Sequence, residues 1–82
     1  TMIQVKVKCF SHVKYALETD ELELELERGT TTTRLDKLIR EKAKGKLDGV
    51  SLRVAINKKY VPEETVLGDG DEVAFIPPVQ GG

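Results

Sequence analysis

Glu21-Leu22-Glu23-Leu24-Glu25-Leu26-Glu27 alternates without a break between acidic and apolar residues. Successive side chains of a β-strand point to opposite faces, so a period of two makes 21–27 a strand. Leu22, Leu24 and Leu26 turn to a core and the four glutamates turn to water. The glutamate stripe reads as a solvated strand face that guards a sheet edge against pairing with another chain. Attracting a basic partner is the alternative use of the same charges.

The segments on either side extend the pattern. Residues 3–9 alternate too, with Ile3, Val5, Val7 and Cys9 on one face and Gln4, Lys6 and Lys8 on the other. Ser11 to Asp20 is too long for a tight hairpin, and Val13, Tyr15, Ala16 and Leu17 fit a helical turn within it. Downstream the period changes. Leu35, Leu38, Ile39 and Ala43 recur at helical spacing, Thr33 is the expected N-cap with Asp36 at N3, and Gly45 is placed to end the helix. Alternation returns over 51–57, with Leu52, Val54 and Ile56 inward. Asn57-Lys58-Lys59 then turns into a short strand around Tyr60-Val61, which Pro62 curtails. Gly68-Asp69-Gly70-Asp71 carries turn chemistry, and Glu72 to Ile76 is the last strand.

The order ββαβ(β)β predicts an α+β fold of the ubiquitin-like β-grasp type. It calls for a mixed four- to five-stranded sheet with one main helix on one face and the other face open. The first and last strands should lie side by side and parallel. The expected division is a β-grasp domain over 1–76 and an extended tail over 77–82 ending in Gly-Gly. Thr1 ahead of Met2 reads as a residue left over from expression.

Composition narrows the function classes. The 82 residues allow one domain, and a chain this small buries only about 60% of its unfolded surface, which disfavours an engulfing cofactor pocket. Thirteen basic and fourteen acidic residues give a net charge of −1, against nucleic acid or an anionic membrane as the main partner. No apolar stretch reaches the length of a membrane span. A single cysteine, Cys9, excludes an internal disulfide and fits a reducing cytosol, so a cytoplasmic location is expected. Cys9 could relay sulfur, but its inward position reads as a small buried hydrophobe. His12 is the only histidine and has no ligand-spaced companion, so no metal site is expected. Lys42, Lys44, Lys46, Lys58 and Lys59 read as solubilising charges. No P-loop, HExxH, CxxC or nucleophile-elbow motif occurs, so no catalytic site of its own is expected.

The last residues carry the chemistry. Ile76-Pro77-Pro78-Val79-Gln80-Gly81-Gly82 runs from an apolar strand through two prolines into a glycine pair. Proline favours an extended stalk, and glycine, lacking Cβ, threads a channel too narrow for other residues. From Pro77 onward the chain can extend roughly 20 Å at about 3.3 Å per residue. The carboxylate of Gly82 is therefore the expected reactive group, read as the end of the chain.

This ending resembles the C-terminus of the molybdopterin synthase small subunit, a ubiquitin-like sulfur carrier. Leu67 to Gly82 carries the likeness in its turn, strand, prolines and glycines. Residues 5–10 and 53–57 are similar to that family's strands at a coarser level. The resemblance implies a cycle in which an E1-like enzyme adenylates the Gly82 carboxylate with ATP. Sulfur from a donor protein then replaces AMP to give a thiocarboxylate. The tail, Gly81 included, enters the large synthase subunit, in a heterotetramer, and passes sulfur to cyclic pyranopterin monophosphate. By this likeness the chain binds no cofactor itself and is a non-catalytic, sulfur-donating subunit. A carrier for thiamine thiazole or tRNA thiolation, a protein modifier forming isopeptide bonds through Gly82, and a plain β-grasp interaction domain are the alternatives.

Alternation also predicts a docking surface. If Val73 and Phe75 face the helix, Ala74 and Ile76 face the open side, joined there by Phe10 and Ala55. With Val79 they are expected to dock the partner, with Lys14 or Arg53 at the rim and Pro77, Pro78 and Gln80 in the same contact.

Overall fold

A computed structural model of the chain describes residues 1–77. The expectations for Pro78, Val79, Gln80, Gly81 and Gly82 lie outside the described residues. Five strands and two helices are present: β1 (Met2–Cys9), α1 (Ser11–Leu17), β2 (Glu21–Glu27), α2 (Thr32–Lys42), β3 (Arg53–Ile56), β4 (Lys59–Tyr60) and β5 (Glu72–Ile76). Sheet order is β2-β1-β5-β3-β4, which places β2 at one edge and β5 in the middle. β5 pairs parallel with β1 and antiparallel with β3.

Each strand's period decides its facing. Ile3, Val5, Val7 and Cys9 of β1 are buried with Val73 and Phe75 of β5, Leu26 of β2, and Leu35 and Ile39 of α2. Burying one such aliphatic or aromatic side chain contributes about 1.5–3 kcal/mol. Leu22 and Leu24 are half-buried, as befits an edge strand, and Glu23, Glu25 and Glu27 are exposed. Leu47 and Leu67 complete the core from loops without periodicity.

Two turns set the position of β5. Asp69 Oδ1 accepts from the Gln4 N–H at 2.8 Å and the Gly70 N–H donates to Gln4 O at 2.7 Å. Asp71 Oδ2 accepts from the Gly68 N–H at 2.7 Å, closing the turn that Gly70 permits with φ +84°. These bonds seat the start of β5 beside β1 with Lys6 opposite Glu72. On the other flank Asn57 and Lys58, with φ 51° and 72°, form the two-residue left-handed turn joining β3 to β4. The Asn57 N–H donates to Glu72 O at 2.8 Å and its Oδ1 accepts from the Glu72 N–H at 3.1 Å.

Some boundaries differ from the sequence expectation. The N-cap of α2 is Thr31, not Thr33: the Thr31 hydroxyl accepts from the Arg34 N–H at 3.3 Å. The start is fixed by distant chain, because the Thr32 N–H donates to Thr65 O at 2.9 Å and Thr31 bridges Val66. Asp36, expected at N3, instead receives two bonds from Arg40 Nε at 3.1 and 3.2 Å. The helix ends at Lys42, before Gly45, and Lys44 takes φ 53°. β4 is Lys59–Tyr60, one residue earlier than expected, since the tight turn leaves no third loop residue. The turn expected in 11–20 is a seven-residue helix that buries Val13 and Ala16 and exposes Tyr15.

Candidate functional site: an apolar hollow where the last strand ends

The open face of the sheet dips where β5 carries a small residue. Ala74 lies opposite Ala55 across the β3–β5 ladder and opposite Lys8 across β1–β5. With little side chain at its floor, the sheet leaves a cavity of about 290 Å³. Phe10, Ile76 and Tyr60 line it with the two alanines, and Lys8, Lys58 and Glu72 contribute charge. Phe10 and Tyr60 stay 47% and 58% exposed, so two aromatic walls stand in water instead of closing over the dip. An apolar concavity with aromatic walls is suited to receive another protein's side chains.

The structure therefore brings Phe10, Ala55, Ala74 and Ile76 together, as alternation implied. Arg53 stands beside them, opposite Ile76 in the ladder, with its guanidinium carbon 4.7 Å from the Tyr60 ring centroid. That stacking sets Arg53, not itself a lining residue, against the Tyr60 wall of the hollow. Lys14 is not among the lining residues. It lies one turn along α1, its ammonium is 2.8 Å from Asp20, and hydrogen bonding to that carboxylate raises its pKa. Pro77 follows Ile76 directly and is half-buried.

Tyr60, Lys58, Lys8 and Glu72 were not foreseen. For Tyr60 a signal existed: a two-residue Asn57-Lys58 turn makes it the partner of Ala55 and hence a resident of the same face. Cys9 lies on the opposite, core face, 3% exposed. Burial, with a smaller effect from Asp20, pushes its thiol above the ordinary value of 9.0 and keeps it neutral, unsuited to act as a nucleophile. No helix among the described residues is long and apolar enough to cross a membrane.

The profile of the ThiS family matches residues 7–82, from the last three residues of β1 through Gly82. The chain belongs to the ThiS family. A relative in Mycobacterium tuberculosis, the molybdopterin synthase sulfur carrier subunit, is 42% identical over 99% of this ThiS-family chain and 100% of its own length. Among solved structures, a Pyrococcus furiosus protein proposed as molybdopterin converting factor subunit 1 superposes with TM-score 0.84 at 30% identity. That match covers 94% of this chain and 99% of the other. Small archaeal modifier protein 1 from Methanosarcina acetivorans superposes with TM-score 0.77 at 27% identity, covering 100% and 99%. The architecture they share is the ubiquitin-like β-grasp anticipated from the element order.

Proposed function

We propose that this ThiS-family chain carries sulfur on its C-terminus for molybdenum cofactor synthesis in the cytoplasm. One observation carries the reading: the near full-length 42% identity to a molybdopterin synthase sulfur carrier subunit. The fold supports it, because β5 leads from the middle of the sheet to Pro77 beside an apolar hollow. The chain supplies a reactant and a docking face, and the catalytic groups belong to its partners.

The chemistry follows from the terminal carboxylate. A carboxylate is a poor acyl donor, because it has no good leaving group. An E1-like enzyme lets a Gly82 oxygen attack the α-phosphorus of ATP, releasing pyrophosphate and leaving an acyl-adenylate. A sulfide equivalent from a donor protein attacks the acyl carbon and expels AMP, giving the thiocarboxylate. Its sulfur forms a C–S bond to a side-chain carbon of cyclic pyranopterin monophosphate in the large synthase subunit as a C–O bond at that carbon breaks and its oxygen leaves. Water cleaves the resulting thioester. Sulfur stays on the pterin and the carboxylate returns. Pro77, Pro78, Val79, Gln80 and Gly81 serve as the arm that reaches the active site.

Phe10, Ala55, Ala74 and Ile76 form the docking face in this proposal, with Arg53 at its rim. Replacing Phe10 or Ile76 with Asp weakens large-subunit binding and leaves the fold intact; unchanged affinity in both variants removes this part. The carrier itself is tested by co-expression with an E1-like enzyme and intact mass spectrometry. One oxygen exchanged for sulfur supports it, and deletion of Gly82 abolishes the exchange. Full molybdopterin formation by the Gly82 deletion refutes it. The likeness to an archaeal modifier favours a second reading, in which Gly82 forms isopeptide bonds; the same spectrum then shows heavier conjugates.

A further inference from the structure

The outer edge of β2 is open at its centre and engaged in part at both ends. Two bonds fix the phase of the β1–β2 ladder: Cys9 N–H to Asp20 O at 2.8 Å and Arg28 N–H to Thr1 O at 2.9 Å. Hydrogen-bonded pairs alternate along an antiparallel ladder. In the observed register the main-chain groups of Leu22, Leu24 and Leu26 therefore point to β1, and those of Glu21, Glu23, Glu25 and Glu27 point outward. The end residues are engaged locally. The Thr19 hydroxyl donates to Glu21 O at 3.0 Å and accepts from the Glu21 N–H at 3.3 Å. Glu27 O accepts from the Thr30 N–H at 3.1 Å and from its hydroxyl at 2.7 Å. The N–H and C=O groups of Glu23 and Glu25 have no partner among the described residues. Two donors and two acceptors in line are what an added strand pairs with.

Charge selects the strand. Glu21 is neutralised by Lys6 and Lys8 at 3.6 and 3.5 Å, whereas Glu23 and Glu25 are exposed and form no ion pair among the described residues. On the helix side Leu22 and Leu24 are half-buried, and Leu26 and Leu38 line a groove between β2 and α2 together with Glu25, Glu27, Arg28 and Arg34. The inner edge already displays the pattern that suits β2: β1 sets Lys6 opposite Glu23, and Val5 and Val7 opposite Leu24 and Leu22. A second copy of this chain would set glutamate against glutamate, which destabilises the pairing.

We propose that the outer edge of β2 is a strand-addition site for an extended segment of another protein that alternates basic and apolar residues. Its main chain bonds Glu23 and Glu25, its lysines or arginines face their carboxylates, and its apolar residues enter the groove beside Leu38. The site lies on the edge farthest from β3 and β4 and is separate from the hollow.

The test uses the full chain, labelled with nitrogen-15, and capped seven-residue peptides. A peptide alternating Lys and Val should perturb the Glu23 and Glu25 amides saturably and slow their hydrogen exchange. One alternating Glu and Val should not. Exchanging both residues for lysine (E23K with E25K) should reverse the preference by about tenfold. A Lys–Val peptide N-methylated at the edge-facing amides should lose binding to the unmodified protein. Equal binding of the methylated peptide, no effect at Glu23 and Glu25, or shifts centred on Phe10 and Ala74 overturns the proposal.

Discussion

Replacing Arg40 with methionine tests how the helix holds the loop that leads to the site. Arg40 lies near the end of α2, its Nη1 and Nη2 donate to Leu47 O and Val50 O at 2.7 Å each, and its Nε reaches Asp36. A hydrogen bond to a charged group contributes about 1.5–3 kcal/mol, so two bonds at the low end give roughly 3 kcal/mol. The low end applies because the guanidinium side chain is 27% exposed and water replaces part of what is lost. The Asp36 pair adds only about 0.3–0.5 kcal/mol, being a partly exposed i,i+4 contact. Methionine keeps some apolar contact of the stem, leaving an expected loss of about 2–3 kcal/mol. Urea unfolding followed by far-ultraviolet circular dichroism measures this, with an unchanged m value showing that the unfolded state is unaffected. The thermal midpoint should fall by about 10–20 °C for a domain of this size. Arg40→Lys, a point charge without the fork, should recover only part. A methionine variant within about 0.5 kcal/mol of the parent, or an Asp36→Asn variant equally damaged, refutes the clasp.

Further outcomes follow from local geometry. Lys58→Gly should stabilise the protein by about 0.5–1 kcal/mol in the same urea assay, because the left-handed penalty at φ 72° exceeds the entropy glycine adds to the unfolded chain. Thr31→Ala should cost about 1 kcal/mol and Thr33→Ala clearly less, since only the former caps α2. Because the folded state raises the Cys9 pKa, the unfolded thiol ionises first and stability should decline as pH rises past about 9.0. Cys9→Val should flatten that alkaline decline in unfolding free energy measured against pH; an identical slope would falsify the assignment.

The sequence was most legible where one face of an element is buried. Period two in 3–9, 21–27 and 72–76 distinguished core from open face, and so located Ala74, Ile76 and Phe10. The start of α2 was not legible because Thr30, Thr31, Thr32 and Thr33 are all competent caps. Thr65 and Val66, more than thirty residues away, make the choice. Leu47 escaped for a related reason: it is fully buried from a stretch with no period, held by Arg40 seven residues back. Tyr60 was missed through a one-residue difference in turn length, which changes a strand's register and the face of every side chain on it.

The parallel pairing of β1 with β5 has a mechanical meaning. β5 is bonded on both flanks, to β1 and to β3, and its last residue leads straight to Pro77. Tension applied there along the strand axis loads both ladders in shear, many bonds at once, instead of peeling them singly. A protein gripping the chain beyond Pro77 can thus pull hard without unravelling what it holds.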